Sequence, residues 1–166
     1  MSEKLQKTKW FWKNNYFLIL SLIPIIVIIV ALEITSSTRF DFIPHLFGDQ
    51  RSSLFDLWSI QHFLSGVLIG ALLITPKYQA TKNWQKMVPL TLFFAFGWEA
   101  LELLIESGGI STFSSFWNSR EHWSNRLISD PALVFVGGIV GYVIHDSWKV
   151  AIVPTVVWLA LKAALI

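Results

Sequence analysis

The chain has 166 residues, 54% of them hydrophobic and 14% charged, with a formal charge of +2 and a mean hydropathy of +0.54. Soluble globules carry about 25% charged residues, so this composition argues for a lipid-exposed protein. The small net charge gives no footprint for nucleic acid, and the absence of Cys excludes disulfides, thiolate metal sites and a Cys nucleophile.

Residues 1–13 form a basic arm with Lys4, Lys7, Lys9 and Lys13, closed by Trp10, Phe11 and Trp12 as an interfacial anchor. Residues 14–32 are uncharged and predict a first membrane span, with Pro24 inside it. No small-residue cleavage motif follows, so the span reads as retained rather than as a signal peptide. Residues 33–56 predict a polar connection with turn formers Pro44, Gly48 and Asp49, and a short interfacial helix over residues 40–47. Further spans are predicted over 57–76, 87–105, 127–145 and 150–166, joined by loops at 77–86, 107–126 and 146–149. The expected fold is an all-α polytopic membrane helix bundle of about five transmembrane helices in one domain.

Five spans put residues 1–13, 76–86 and 146–149 on one side. That side holds eight cations: Lys4, Lys7, Lys9, Lys13, Lys77, Lys82, Lys86 and Lys149. The other side holds four: Arg39, Arg51, Arg120 and Arg126. The excess places the N-terminus in the cytoplasm and residues 33–56 and 107–126 outside.

Four ionisable side chains fall inside the predicted spans. Counting 1.5 Å per residue from the outer ends, His62 lies about 8 Å deep, Glu99 about 9 Å, Glu102 about 5 Å and Asp130 about 5 Å. Three helices thus carry polar groups at similar depth. Their faces agree: His62 shares a side with Ser65 and Gly66, and Asp130 aligns with Val134, Gly137 and Gly141. Small residues mark the faces on which membrane helices approach closely. His62, Glu99, Glu102 and Asp130 are therefore the candidate catalytic set. His62, Glu99 and Glu102 offer ligands for a divalent metal such as zinc, manganese or iron. A carboxylate-oriented His62 also suits acid–base work. Arg120, Asn125 and Arg126, placed at the outer mouth, are expected to meet a phosphate.

Each residue has a plainer reading. Glu99 and Glu102 can fix helix packing with His62 and Trp98, and Asp130, between Ser129 and Pro131, reads equally as a helix N-cap. Glu106, His45 and His122 read as solvated rim residues.

In order and spacing the chain resembles VanZ-like proteins and related bacterial inner-membrane families over residues 54–145. The residues concerned are Asp56 and His62, then Trp98-Glu99-x-x-Glu102, then Arg120, Asn125 and Arg126, then Asp130 with Gly137 or Gly138. Glu102 stands where that family typically has Gln, and Val134 where it has Asn. The resemblance implies a small helical membrane protein of the bacterial envelope and a shared site at His62, Glu99, Glu102 and Asp130.

Two functions follow as expectations. The first is an enzyme or binding protein for an amphipathic membrane lipid or lipid-linked envelope precursor, reached from the outer leaflet. The second is a structural or accessory subunit whose carboxylates fix packing or contact a membrane protein partner. Proton-coupled transport fits less well, because the inner halves of the spans lack polar groups, and no phosphate loop, His-Glu-x-x-His or dinucleotide fingerprint is present.

Overall fold

The computed structural model describes residues 3–36, 45–48, 52–72, 84–110, 121–144, 152–153 and 155–160. Its long helices are α1 (Glu3–Ser36), α2 (Leu57–Leu72), α3 (Trp84–Glu106) and α4 (Asp130–Val143). Strands β1 (His45–Phe47) and β2 (Ser53–Phe55) pair in parallel, with His45 opposite Ser53 and Phe47 opposite Phe55. The chain is mostly helical, as its apolar runs require. Residues 45–47, the described part of the interfacial helix expected over 40–47, form a strand instead, and residues 40–44 lie outside the described residues.

The bounds of α1 differ from the sequence reading, and those of α2 agree at its start. α1 begins at Glu3 and runs through the basic arm without a break, and it ends only at Ser36. Glu33, expected to open a loop, is therefore inside a helix and buried. α2 starts as expected, because Asp56 caps it. The Asp56 Oδ1 accepts from the Trp58 and Ser59 N–H groups at 2.7 and 3.0 Å, and the Asp56 N–H donates to Ser59 Oγ at 3.0 Å.

α4 is entered through a π-helical turn, Asn125–Ser129. Asp130 has helical dihedrals (φ −71°, ψ −44°), and its N–H donates to the Asn125 carbonyl five residues back. Asp130 is thus a mid-helix residue and not the N-cap the Ser-Asp-Pro sequence offered. The cause is Pro131. It has no N–H and its ring would crowd the carbonyl one α-turn earlier; the wider turn relieves both.

The helices alternate in direction. The end of α1 (Glu33) and the end of α3 (Glu106) both meet Arg126, just before α4. α2 and α4 run parallel, in the most extensive contact of the fold. Their backbones touch through glycine: a Cβ on Gly66 would sit 2.1 Å from the Val134 carbonyl oxygen, and one on Gly137 would sit 2.1 Å from that of Phe63. Gly70 against Gly138, and Gly141 against Val67, repeat the contact further along. Such spacing lets Cα–H groups reach carbonyls across the interface.

Polarity is reversed relative to a soluble globule. The largest fully buried side chains include Arg126, Glu99, Asn15, Asn125 and Asp130. Leu20, Ile23 and Val27 of α1, Phe94 and Leu104 of α3, and Val136 and Val143 of α4 are exposed. Among the described residues, Met87–Glu106 and Asn125–Val143 are long and apolar enough to cross a membrane, while Leu18–Ile34 and Leu57–Ala71 are shorter apolar stretches. Residues 155–160, in the fifth expected span, are helical.

The glycine contacts give a matched pair of variants. Gly66→Ala or Gly137→Ala drives a methyl group into backbone and is expected to destabilise by about 1–3 kcal/mol. Gly97, on α3, has nothing within 4 Å of its Cβ position. Gly97→Ala is expected to stabilise by up to about 1 kcal/mol through helix propensity. Thermal unfolding of the detergent-purified chain measures both.

Candidate functional site

The alternating helix directions bring the end of α1, the start of α2, the end of α3 and the start of α4 to one end of the bundle. The glycine contact then sets the register. His62 lies one turn before Gly66 and Asp130 one turn before Val134, so the backbone approach of Gly66 to Val134 carries His62 and Asp130 to the same level. The His62 Nε2 is 3.5 Å from Asp130 Oδ2, and its Nδ1 is 3.6 Å from Glu99 Oε1 on α3. The imidazole is 5% exposed and the two carboxylates 0%. The sequence thus anticipated the convergence of His62, Glu99 and Asp130.

Glu102 is arranged differently. It is buried one turn beyond Glu99, and its carboxylate accepts from Trp98. Its oxygens group with those of Glu99 and Glu121, all three offering ligand atoms within 4.8 Å of one another. A second group with the same spacing is His62, Glu99 and Asp130. The expected metal set of His62, Glu99 and Glu102 therefore divides into two triads, and Glu99 belongs to both.

Arg126 and Asn125 correct the sequence reading. Both are 0% exposed, within the π turn, and neither faces an outer mouth. The Arg126 Nη1 donates to Glu33 Oε1, and its Nη2 donates to Glu106 Oε2 at 2.7 Å. Glu121 Oε2 lies 3.6 Å from Nη2 and Glu99 Oε2 lies 3.9 Å from Nε. A guanidinium ringed by carboxylates is not available to a phosphate. Arg120 lies outside the described residues. Glu106, expected at a solvated rim, is held by Arg126. His122 is half-buried, and its Nδ1 pairs with Ser124 Oγ at 2.7 Å.

Sequence reasoning missed Glu33, Glu106 and Glu121 as members of this centre. Glu106 had a signal, since it extends the Glu99 and Glu102 stripe by one further turn. Glu33 closes an apolar helix, where a charge calls for a partner. Glu121 follows no helical period, and only the three-dimensional structure brings it in.

Several acceptors in the centre have no donor. Both oxygens of Glu99, both of Asp130, and Glu121 Oε2 receive no hydrogen bond from any N–H or hydroxyl group. Glu121 adjoins Asp130 closely enough for the two carboxyls to share a proton. Burial pushes the Glu121 carboxyl up to about 7, against the pull of the Arg126 guanidinium.

A cleft of about 180 Å³ opens beside the centre, between α2, α3 and α4. His62, Gln61 and Ser65 form its polar part, and Ile69, Phe94 and Val134 its apolar part. No protein-family description, curated protein or solved structure matches the chain.

Two outcomes follow. Arg126→Met leaves the Glu33 and Glu106 carboxylates buried without their cation, and is expected to cost about 3–5 kcal/mol. Adding Glu33→Gln and Glu106→Gln to that variant should recover much of the loss in thermal unfolding. The second outcome concerns pH. With its pKa raised in the folded state, Glu121 holds its proton more tightly there than in the unfolded chain. Its contribution to stability is therefore fully present below the ordinary carboxylate range and is lost as pH rises through about 7. The metal-free chain should melt lower at about pH 8 than at about pH 6, and Glu121→Gln should reduce that difference.

Proposed function

We propose that the chain is a multi-pass integral protein of the bacterial inner membrane, with about five spans and a cytoplasmic N-terminus, that acts on an amphipathic lipid or a lipid-linked envelope precursor. The reversed polarity of the bundle supports the membrane setting, since apolar side chains outside and ionisable ones inside suit hydrocarbon as solvent. The Lys-rich loops on one side support the orientation. The VanZ-like resemblance over residues 54–145 belongs to the same proposal.

The observation that carries the reading is the cleft. Its wall of Ile69, Phe94 and Val134 suits an acyl or prenyl chain, and it ends in polar groups at His62. An amphipathic molecule seated there would bring its head-group linkage to the imidazole. Glu99 and Asp130 flank His62, 3.6 Å and 3.5 Å from its two ring nitrogens, so the imidazole stands between two groups that can exchange a proton with it. Glu99 and Asp130 act as its positioning residues.

The second reading is a structural subunit, and the Arg126 network favours it on one count: it ties α1, α3 and the start of α4 together without any ligand. The two readings separate on occupancy of the cleft. A photoreactive lipid analogue incorporated with the purified chain into vesicles should label peptides containing Phe94 and Trp98. Ile69→Trp, which fills the cleft, should abolish that labelling while labelling of the exposed α1 surface persists. Equal labelling of both peptides in wild type and Ile69→Trp would rule out the lipid reading.

A further inference from the structure

We infer that the buried centre binds a pair of divalent cations, with the Glu99 carboxylate shared between them. One ion is held by His62, Glu99 and Asp130 and the other by Glu99, Glu102 and Glu121. The inference does not depend on the lipid reading, because it follows from charge and donor geometry within the bundle.

Arg126 donates to Glu33 and Glu106 and lies 3.6 Å from Glu121 and 3.9 Å from Glu99, so one positive charge is spread over four carboxylates, and it makes no hydrogen bond to the other members of the centre. Glu99, Glu102, Glu121 and Asp130 are all at most 4% exposed, with one imidazole among them. Uncompensated carboxylates in a low-dielectric interior are very costly. The six buried carboxyl groups of the centre outnumber its one guanidinium, and two dications would supply the positive charge that Arg126 alone does not. The unpartnered oxygens agree: Glu99 and Asp130 are 0% exposed, yet no N–H or hydroxyl donor reaches either oxygen of either residue. Buried side chains aimed at a common point without donors are ligands awaiting an acceptor-seeking partner. The donor atoms of each triad already lie within 4.8 Å of one another. Shared carboxylates are a usual way to hold two metals about 3.5–4 Å apart.

The donor set selects the class of ion. Carboxylate oxygens predominate, which suits manganese or magnesium, and the imidazole favours a first-row transition metal. Manganese(II) satisfies both. A paired centre here would polarise a phosphoryl or acyl oxygen and generate a hydroxide near neutral pH.

Elemental analysis and electron paramagnetic resonance of the full chain, purified in detergent and equilibrated with Mn²⁺, test this. The wild type should bind two Mn²⁺ per chain and show an exchange-coupled pair. His62→Gln and Glu121→Gln should each retain one ion, with the spectrum of isolated Mn²⁺. Glu99→Gln should retain neither. Since Glu99→Gln also removes a buried charge, its metal-free form should melt at or above the wild-type temperature, which separates lost ligation from lost folding. Zero or one ion in the wild type would overturn the inference, as would a coupled pair surviving in Glu99→Gln. Neither result bears on lipid labelling of the cleft, so the two proposals fail separately.

Discussion

The Arg126 guanidinium, enclosed by Glu33, Glu99, Glu106 and Glu121, is the interaction on which the polar end of the bundle depends. It is the one full cation among the described residues of that centre, and it draws carboxylates from α1, from α3 and from the segment before α4. Removing a guanidinium from such a place leaves several charges buried without compensation. Its position is set by the π turn, which the missing N–H of Pro131 imposes. The π turn beside Pro131 thus holds the segment from which the Arg126 guanidinium reaches into the centre.

The second constraint is the glycine seam between α2 and α4. Carbonyl oxygens of one helix occupy the space a Cβ would need on the other. That closeness fixes the helices in register, and the register places His62 opposite Asp130. α3 then supplies Glu99 from the third side. The His62, Glu99 and Asp130 group is therefore built on helices, with a carboxylate beside each nitrogen of the imidazole. Arg126 supports the carboxylate side and the glycine seam supports the histidine side. Glu99 stands where the two meet, 3.6 Å from His62 and 3.9 Å from Arg126.

Much of this was legible in the sequence, and for identifiable reasons. Long apolar runs predicted helices, and α2 and α3 begin or end close to where their polar flanks indicated. Depth counting brought His62, Glu99 and Asp130 together because three helices with alternating direction must return to the same level. Small residues on the His62 and Asp130 faces gave the seam. What failed did so locally. Reading Asp130 as a cap assumed that the helix begins there, whereas the π turn starts earlier and shifts the face. Placing Arg126 and Asn125 at a mouth followed from ending the polar loop at residue 126, whereas the helical turn already includes both. Glu33 was assigned to a loop because a charge at the end of an apolar run resembles a boundary; its partner lies 93 residues away along the chain. Glu121 has no periodic signal at all.

The buried carboxylates about Glu99 exceed what the single charge of Arg126 balances, and we infer that they are cation ligands. The most direct measurement is an anomalous difference map, at the manganese absorption edge, from crystals of the protein grown with Mn²⁺. A paired centre gives two peaks flanking the Glu99 carboxylate, one towards His62 and Asp130 and one towards Glu102 and Glu121. A map with no peak inside the bundle, or with a single peak remote from Glu99, would contradict it.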